Sequence, residues 1–153
     1  MKTVAISGGF DPLHIGHVEL MKEAKALGDR LVVIINNDNW IKKKKRTPFM
    51  EEGERKAIIE AIRYVDEVVL TEHPENPEGP EAMSVSKALE KIKPDIFANG
   101  GDRDEKNAID PSSSLYYDIQ TCQRLDIQMV FNVGKSGKIQ SSSWLIQKAK
   151  ENI

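Results

Sequence analysis

Short runs rich in valine, isoleucine and leucine recur along the chain between longer segments of helical period, and this alternation restricts the fold more than any other feature. Strands alternating with helices form βαβ units whose strands lie parallel, and right-handed crossovers leave few topologies open. We read strands at Thr3–Ser7, Arg30–Asn36, Glu67–Thr71, Asp95–Ala98 and Gln128–Asn132. Helices are expected near Gly16–Leu27, Glu51–Tyr64, Glu81–Ile92, Leu115–Leu125 and Ser142–Asn152. In the first, Val18, Leu20, Met21, Ala24 and Leu27 form the apolar stripe, and Gly28 is placed to end the helix in a left-handed conformation. The expected fold class is α/β: a single Rossmann-like open parallel five-stranded sheet with helices on both faces and ligands at the strand carboxyl ends. Its length suits one domain, residues 1–153, with neither internal repeat nor linker.

Composition removes several function classes. The chain is 39% hydrophobic and 30% charged, with no apolar run long enough for a bilayer and no secretory pattern ahead of Gly8. One cysteine, Cys122, excludes an intramolecular disulfide and fits a cytoplasmic protein. A net charge of −2 argues against nucleic acid as a partner, and no membrane partner is expected. An anion site must therefore be local, and the strongest local charge is Lys42-Lys43-Lys44-Lys45-Arg46 after the second strand.

The stretch Gly8-Gly9-Phe10-Asp11-Pro12-Leu13-His14-Ile15-Gly16-His17 follows the first strand and opens the first helix. An α/β sheet binds phosphates at this junction, because glycines let the backbone approach an anion and the helix N-terminus attracts it. His14 and His17, three residues apart, point to one anion. As hydrogen-bond donors they suit the charge that builds on an α-phosphate and on departing pyrophosphate. Gly16 leaves room for a nucleotide ring or ribose near the backbone. A zinc site is the alternative use of such a pair, but convincing third and fourth ligands are missing.

This stretch resembles the signature of the cytidylyltransferase-like nucleotidylyltransferases. The likeness continues through Leu27-Gly28-Asp29-Arg30-Leu31-Val32-Val33 and from Arg55 to Val68, where it is closest to the glycerol-3-phosphate cytidylyltransferases. It runs without a gap from Met1 to about Val68 and is confined to spaced motifs beyond. Asn99-Gly100-Gly101-Asp102 is similar instead to heptose-1-phosphate adenylyltransferases. The Arg-Thr-Glu-Gly segment of the cytidylyltransferases is missing before Ser141-Ser142-Ser143, and Lys135 or Lys138 is a candidate replacement cation.

The resemblance implies transfer of a nucleoside monophosphate from CTP, or ATP, to a small phosphorylated alcohol or sugar such as glycerol 3-phosphate. It implies Mg²⁺ bound with the triphosphate and a homodimer. His14, His17 and Lys44 are the expected catalytic residues, and Gly8, Gly9, Phe10, Asp11, Gly16, Asp102, Ser141, Ser142 and Ser143 the nucleotide-binding ones. Arg46, Arg55 and Arg63 are expected at substrate phosphate, Arg46 through two parallel hydrogen bonds and Arg55 and Arg63 on one helix face. Capping accounts for at least one of the three serines. Two alternatives remain: an adenylyltransferase acting on a sugar phosphate, and a nucleotide-binding regulatory module without turnover.

Overall fold

The computed structural model describes residues 1–101, 109–134 and 140–152. Five parallel strands form one sheet: β1 (Thr3–Gly8), β2 (Arg30–Ile35), β3 (Glu67–Leu70), β4 (Ile96–Gly100) and β5 (Gln128–Val133), in the order β3-β2-β1-β4-β5. Around it lie α1 (Ile15–Lys25), α2 (Asp38–Lys44), α3 (Glu52–Glu60), α4 (Gly79–Ala82), α5 (Ser86–Ile92), α6 (Ser114–Arg124) and α7 (Ser142–Asn152). The pairing runs from Thr3↔Arg30 to Gly8↔Ile35 on one side of β1 and through Val4↔Ile96 on the other. Strand order thus reverses at β1, and a parallel α/β sheet leaves its ligand crevice beyond such a reversal, at the strand carboxyl ends.

Side-chain alternation divides the core between two faces. Val4 and Ile6, with Leu31, Val33 and Ile35, pack with Met21 and Ala24 of α1 and Ile59 of α3. Ala5, Ile34 and Phe97 pack with Ala88 and Leu89 of α5 and Cys122 of α6. Helices therefore cover both faces, as the apolar strand runs require. No helix among the described residues is long and apolar enough to cross a membrane.

Four local expectations change. Part of the lysine run is helical: Asn37 caps α2 by accepting from Trp40 N at 3.1 Å, Trp40 and Ile41 are buried, and Lys42, Lys43 and Lys44 form the last turn, where cations suit the helix dipole. The helix expected over Glu51–Tyr64 stops at Glu60, and the chain turns so that the Asp66 carboxylate accepts from Leu31 N at 2.8 Å. The segment Glu81–Ile92 is broken because Val85 N donates to Asp118 Oδ1 of α6 at 2.9 Å and the Ser84 hydroxyl donates to Glu81 O. Gly28 lies beyond the right-handed C-cap Ala26, and a Cβ there would meet Lys2 O at 2.7 Å. Close approach of two backbones, rather than a left-handed helix end, calls for that glycine.

Candidate active site

The turn after β1 is built from behind. Gly8 has no room for a side chain, since a Cβ would meet the Phe10 ring at 3.0 Å, and at Gly9 it would meet Ile41 Cδ1 at 2.8 Å. Phe10 takes φ 52° and is buried, which places its ring beneath Gly8 and edge-on to His17 at 4.9 Å between centroids. The Asp11 carboxylate is 0% exposed and accepts from Phe49 N, Met50 N and Arg46 Nη1 at 2.7, 2.6 and 2.9 Å. Arg46 Nη2 also donates to Asp11 O. Asp11, expected among the nucleotide-binding residues, therefore clamps residues 46–50 to the turn. Arg46, expected at an acceptor phosphate, turns two of its donors to Asp11 and keeps its side chain 26% exposed.

Arg55 undergoes the largest change of role. It is 1% exposed and donates from Nη1 to Gly9 O and Asn36 O, from Nε to Met50 O, and from Nη2 to Asp38 Oδ1, all within 3.0 Å. Four of its five N–H donors are engaged, so it ties the ends of β1 and β2 to α2. Arg63 lies beyond the end of α3, is exposed, and shares no helix face with Arg55.

The two histidines face the other way along the chain. His14 is the N-cap of α1: its Nδ1 accepts from Gly16 N at 3.1 Å, while His17 Nδ1 accepts from His14 N at 3.2 Å. This reciprocal capping box also uses the Gly16 amide, the second residue of the helix. The rings stack at 3.7 Å between centroids. With each Nδ1 accepting a backbone proton, the neutral ring carries its own proton on Nε2. Burial, then the charges of His14 and Lys45, push the His17 pKa down to about 3, so it is a neutral donor across the physiological range.

A cleft of about 660 Å³ opens over this turn. It is lined by Gly8, Gly9, Phe10 and His17, by Lys43, Lys44 and Lys45, and by Ser142. The structure thus brings His17 and Lys44 to one cavity, as the parallel topology requires. Ser141 caps α7, its hydroxyl accepting from Ser143 N at 3.2 Å and Trp144 N at 3.4 Å. Ser142 donates to Pro12 O at 2.8 Å, which joins the start of α7 to the turn before α1, and Ser143 is exposed. Asp102, Lys135 and Lys138 lie outside the described residues.

Sequence reasoning singled out the segment that begins at Asn99 but missed the cleft residues Ser7, Asn36, Trp40 and Met83, together with Ser112–Ser114. Only a strand end announced Asn36, and no local signal marked Met83. Cys122 takes no part: it is buried, and desolvation followed by the nearby Asp118 pushes its pKa up to about 12, leaving an inert thiol.

The sheet order, the glycine turn and the cleft at the strand reversal define a Rossmann-like α/β domain with its ligand crevice beyond β1 and β4. The chain belongs to the cytidylyltransferase-like family, whose profile matches residues 5–140. It is similar to the FAD synthase of Pyrococcus abyssi, 42% identical over 102 residues covering 66% of this chain and 64% of that protein. The FAD synthase of Ferroglobus placidus is 41% identical over 103 residues, covering 67% and 61%. The chain thus spans less than two thirds of the length of these relatives. Among solved structures, the lipopolysaccharide core biosynthesis protein of Thermoplasma volcanium superposes with a TM-score of 0.67 at 26% identity, covering 89% of this chain and 99% of that one. Thermotoga maritima TmcAL, solved with α-thio ATP, shares the fold alone, with a TM-score of 0.70 at 11% identity over 99% of this chain and 51% of that one.

Proposed function

We propose that the protein is a nucleotidylyltransferase that joins the adenylyl group of ATP to a phosphate-bearing acceptor, flavin mononucleotide, and releases pyrophosphate. The observation that carries the transfer is the capped histidine pair at the glycine turn, with His17 and Lys44 lining one cleft. An acceptor phosphate oxygen attacks the α-phosphorus, the bond from that phosphorus to the bridging oxygen breaks, and pyrophosphate leaves with the electron pair. Charge grows on the phosphoryl oxygens and the leaving group, where fixed neutral donors and a lysine stabilise it most. His17 needs no proton exchange for this task, since its ring is already the donor form.

The choice of ATP and flavin mononucleotide rests on the similarity to FAD synthases. The sequence alone leaned toward CTP and glycerol 3-phosphate, on the continuous likeness up to Val68. No cluster of three or more histidine, cysteine or acidic side chains that could hold a metal exists among the described residues. Mg²⁺ would therefore be held by triphosphate oxygens and water, and when bound it would neutralise phosphate charge.

Pyrophosphate release from ATP and CTP, each paired with flavin mononucleotide, glycerol 3-phosphate and a sugar 1-phosphate, tests this reading. Fastest release is expected with ATP and flavin mononucleotide. Release confined to CTP and glycerol 3-phosphate would restore the cytidylyl reading, and no release from any pair would remove the transferase.

A further inference from the structure

Asn36 and Asn99 stand at the carboxyl ends of β2 and β4, on either side of β1. They are 3% and 4% exposed, and both line the cleft. Asn36 Oδ1 and Asn99 Nδ2 are buried with no hydrogen-bond partner among the described residues. Burying an unpaired polar amide atom is costly, so two such groups in one cavity mark a place where something else completes the pairing.

Strand alternation fixes which part of the cleft they occupy. Two residues before them, Ile34 and Phe97 belong to the core beneath α5 and α6, so Asn36 and Asn99 continue that face of the sheet. Phe10 belongs to the core beneath α1, on the opposite face, with His17 against its edge and Ser142 tied to Pro12 nearby. Both parts line one cleft. With the triphosphate assigned to the histidines and the start of α7, the asparagine side is left for the second substrate.

The chemistry of that side is specific. Trp40 donates its indole N–H to Met83 O at 2.9 Å, so the ring has no polar demand left and stands with Met83 and Pro80 as a flat apolar wall. An apolar wall beside an unpaired amide acceptor, Asn36 Oδ1, and an unpaired amide donor, Asn99 Nδ2, is a poor match to a small polyol phosphate. It matches a planar ring whose edge alternates carbonyl oxygens with N–H.

We propose that Asn36 and Asn99 are the specificity-determining residues for the acceptor, reading the carbonyl and imide edge of a phosphorylated heteroaromatic ring of the flavin type, with Trp40 and Met83 against its face. The assignment rests on the transferase reading for the identity of the second substrate.

The test is titration of the full chain with flavin mononucleotide, followed by flavin fluorescence, alongside calorimetric titration with ATP and Mg²⁺. Asn36→Leu and Asn99→Leu should each weaken flavin mononucleotide binding at least tenfold, leave ATP binding unchanged, and keep or raise the thermal midpoint, because an unpaired buried amide has been removed. A purely structural role would lower that midpoint instead. Alanine at either position serves where leucine does not fit. Unchanged flavin affinity in all variants overturns the proposal, as does a loss of ATP affinity in its place, which would assign the amides to the nucleobase. Wild-type protein that binds glycerol 3-phosphate as tightly as flavin mononucleotide also overturns it. Failure of the transferase reading is distinct: flavin binding would remain sensitive to both asparagines while no pyrophosphate appeared.

Discussion

Two groups of charged and polar side chains meet at the turn after β1, and they differ in what they touch. Behind the turn, Arg46, Arg55 and Asp11 form a buried knot whose hydrogen bonds go to Gly9, Asn36, Met50, Asp38 and one another. In front of it, His17 and Lys44 line the cleft. The charged and polar residues look alike in sequence, yet one group shapes the backbone and the other lines the cleft. Burial separates them: the Arg55 guanidinium is 1% exposed with four of its five N–H donors held by protein oxygens, whereas Lys44 is exposed at the cleft.

The sharpest way to break this division is at Arg55. Arg55→Ala leaves the Asp38 carboxylate and the Gly9 and Asn36 carbonyls without their donor. Removing one member of a buried ion pair costs about 3–5 kcal/mol, and urea unfolding should show a loss of that order. A variant of normal stability with impaired phosphate binding would return Arg55 to the ligand side.

The histidines should show the opposite pattern. His17→Ala is expected to reduce turnover at least 100-fold, about 2.7 kcal/mol of lost transition-state stabilisation, with stability little changed. His14→Ala should lose activity similarly and also about 1 kcal/mol of stability, because its ring caps α1. Near-native turnover in both would end the catalytic assignment. Smaller effects are expected at the basic run. Arg46→Ala should cost about 1.5–3 kcal/mol of stability through its bonds to Asp11. Lys44→Ala should raise the KM for ATP about tenfold while leaving stability alone, because its side chain is exposed at the cleft. Equal effects of the two substitutions on KM and on unfolding would erase the contrast.

Acid provides a further contrast within the histidines. The folded His17 pKa, about 3, lies below its ordinary value of 6.5, so the unfolded chain binds the extra proton in that interval. Its contribution to stability is therefore complete above 6.5 and falls as pH drops toward 3. His73, whose pKa is lowered mainly by burial, acts in the same direction. Unfolding free energy should decline with acid less steeply in His17→Gln than in the parent, and parallel curves would contradict the burial of His17.

Much of this was legible in the chain. The alternation of apolar runs with helical periods specified the parallel sheet, because strands buried on both faces must be apolar, as β2 is from Leu31 to Ile35. The position of His14 and His17 followed from the motif, since a helix starting directly after a strand fixes its first turn at the ligand end. The short α2 was concealed because its lysines read as a solvated loop, although Asn37 is a sound N-cap and Trp40 and Ile41 bury its inner side. The roles of Arg46, Arg55 and Asp11 were not legible, because a charge paired across 35 or 46 residues of chain leaves no local pattern. Asn36 was hidden for the same reason, and only the sheet order sets it across β1 from Asn99, whose segment the sequence did mark.

The central claim is that the histidine pair acts on a transferring nucleotidyl group. It is tested most directly by single-turnover reaction of ATP and flavin mononucleotide, with flavin adenine dinucleotide and pyrophosphate quantified together, in the parent protein and in His17→Ala. The account predicts equal amounts of the two products from the parent, and formation at least 100-fold slower in the variant at the same ATP occupancy. Absence of both products from the parent, or equal rates in the two proteins, would contradict it.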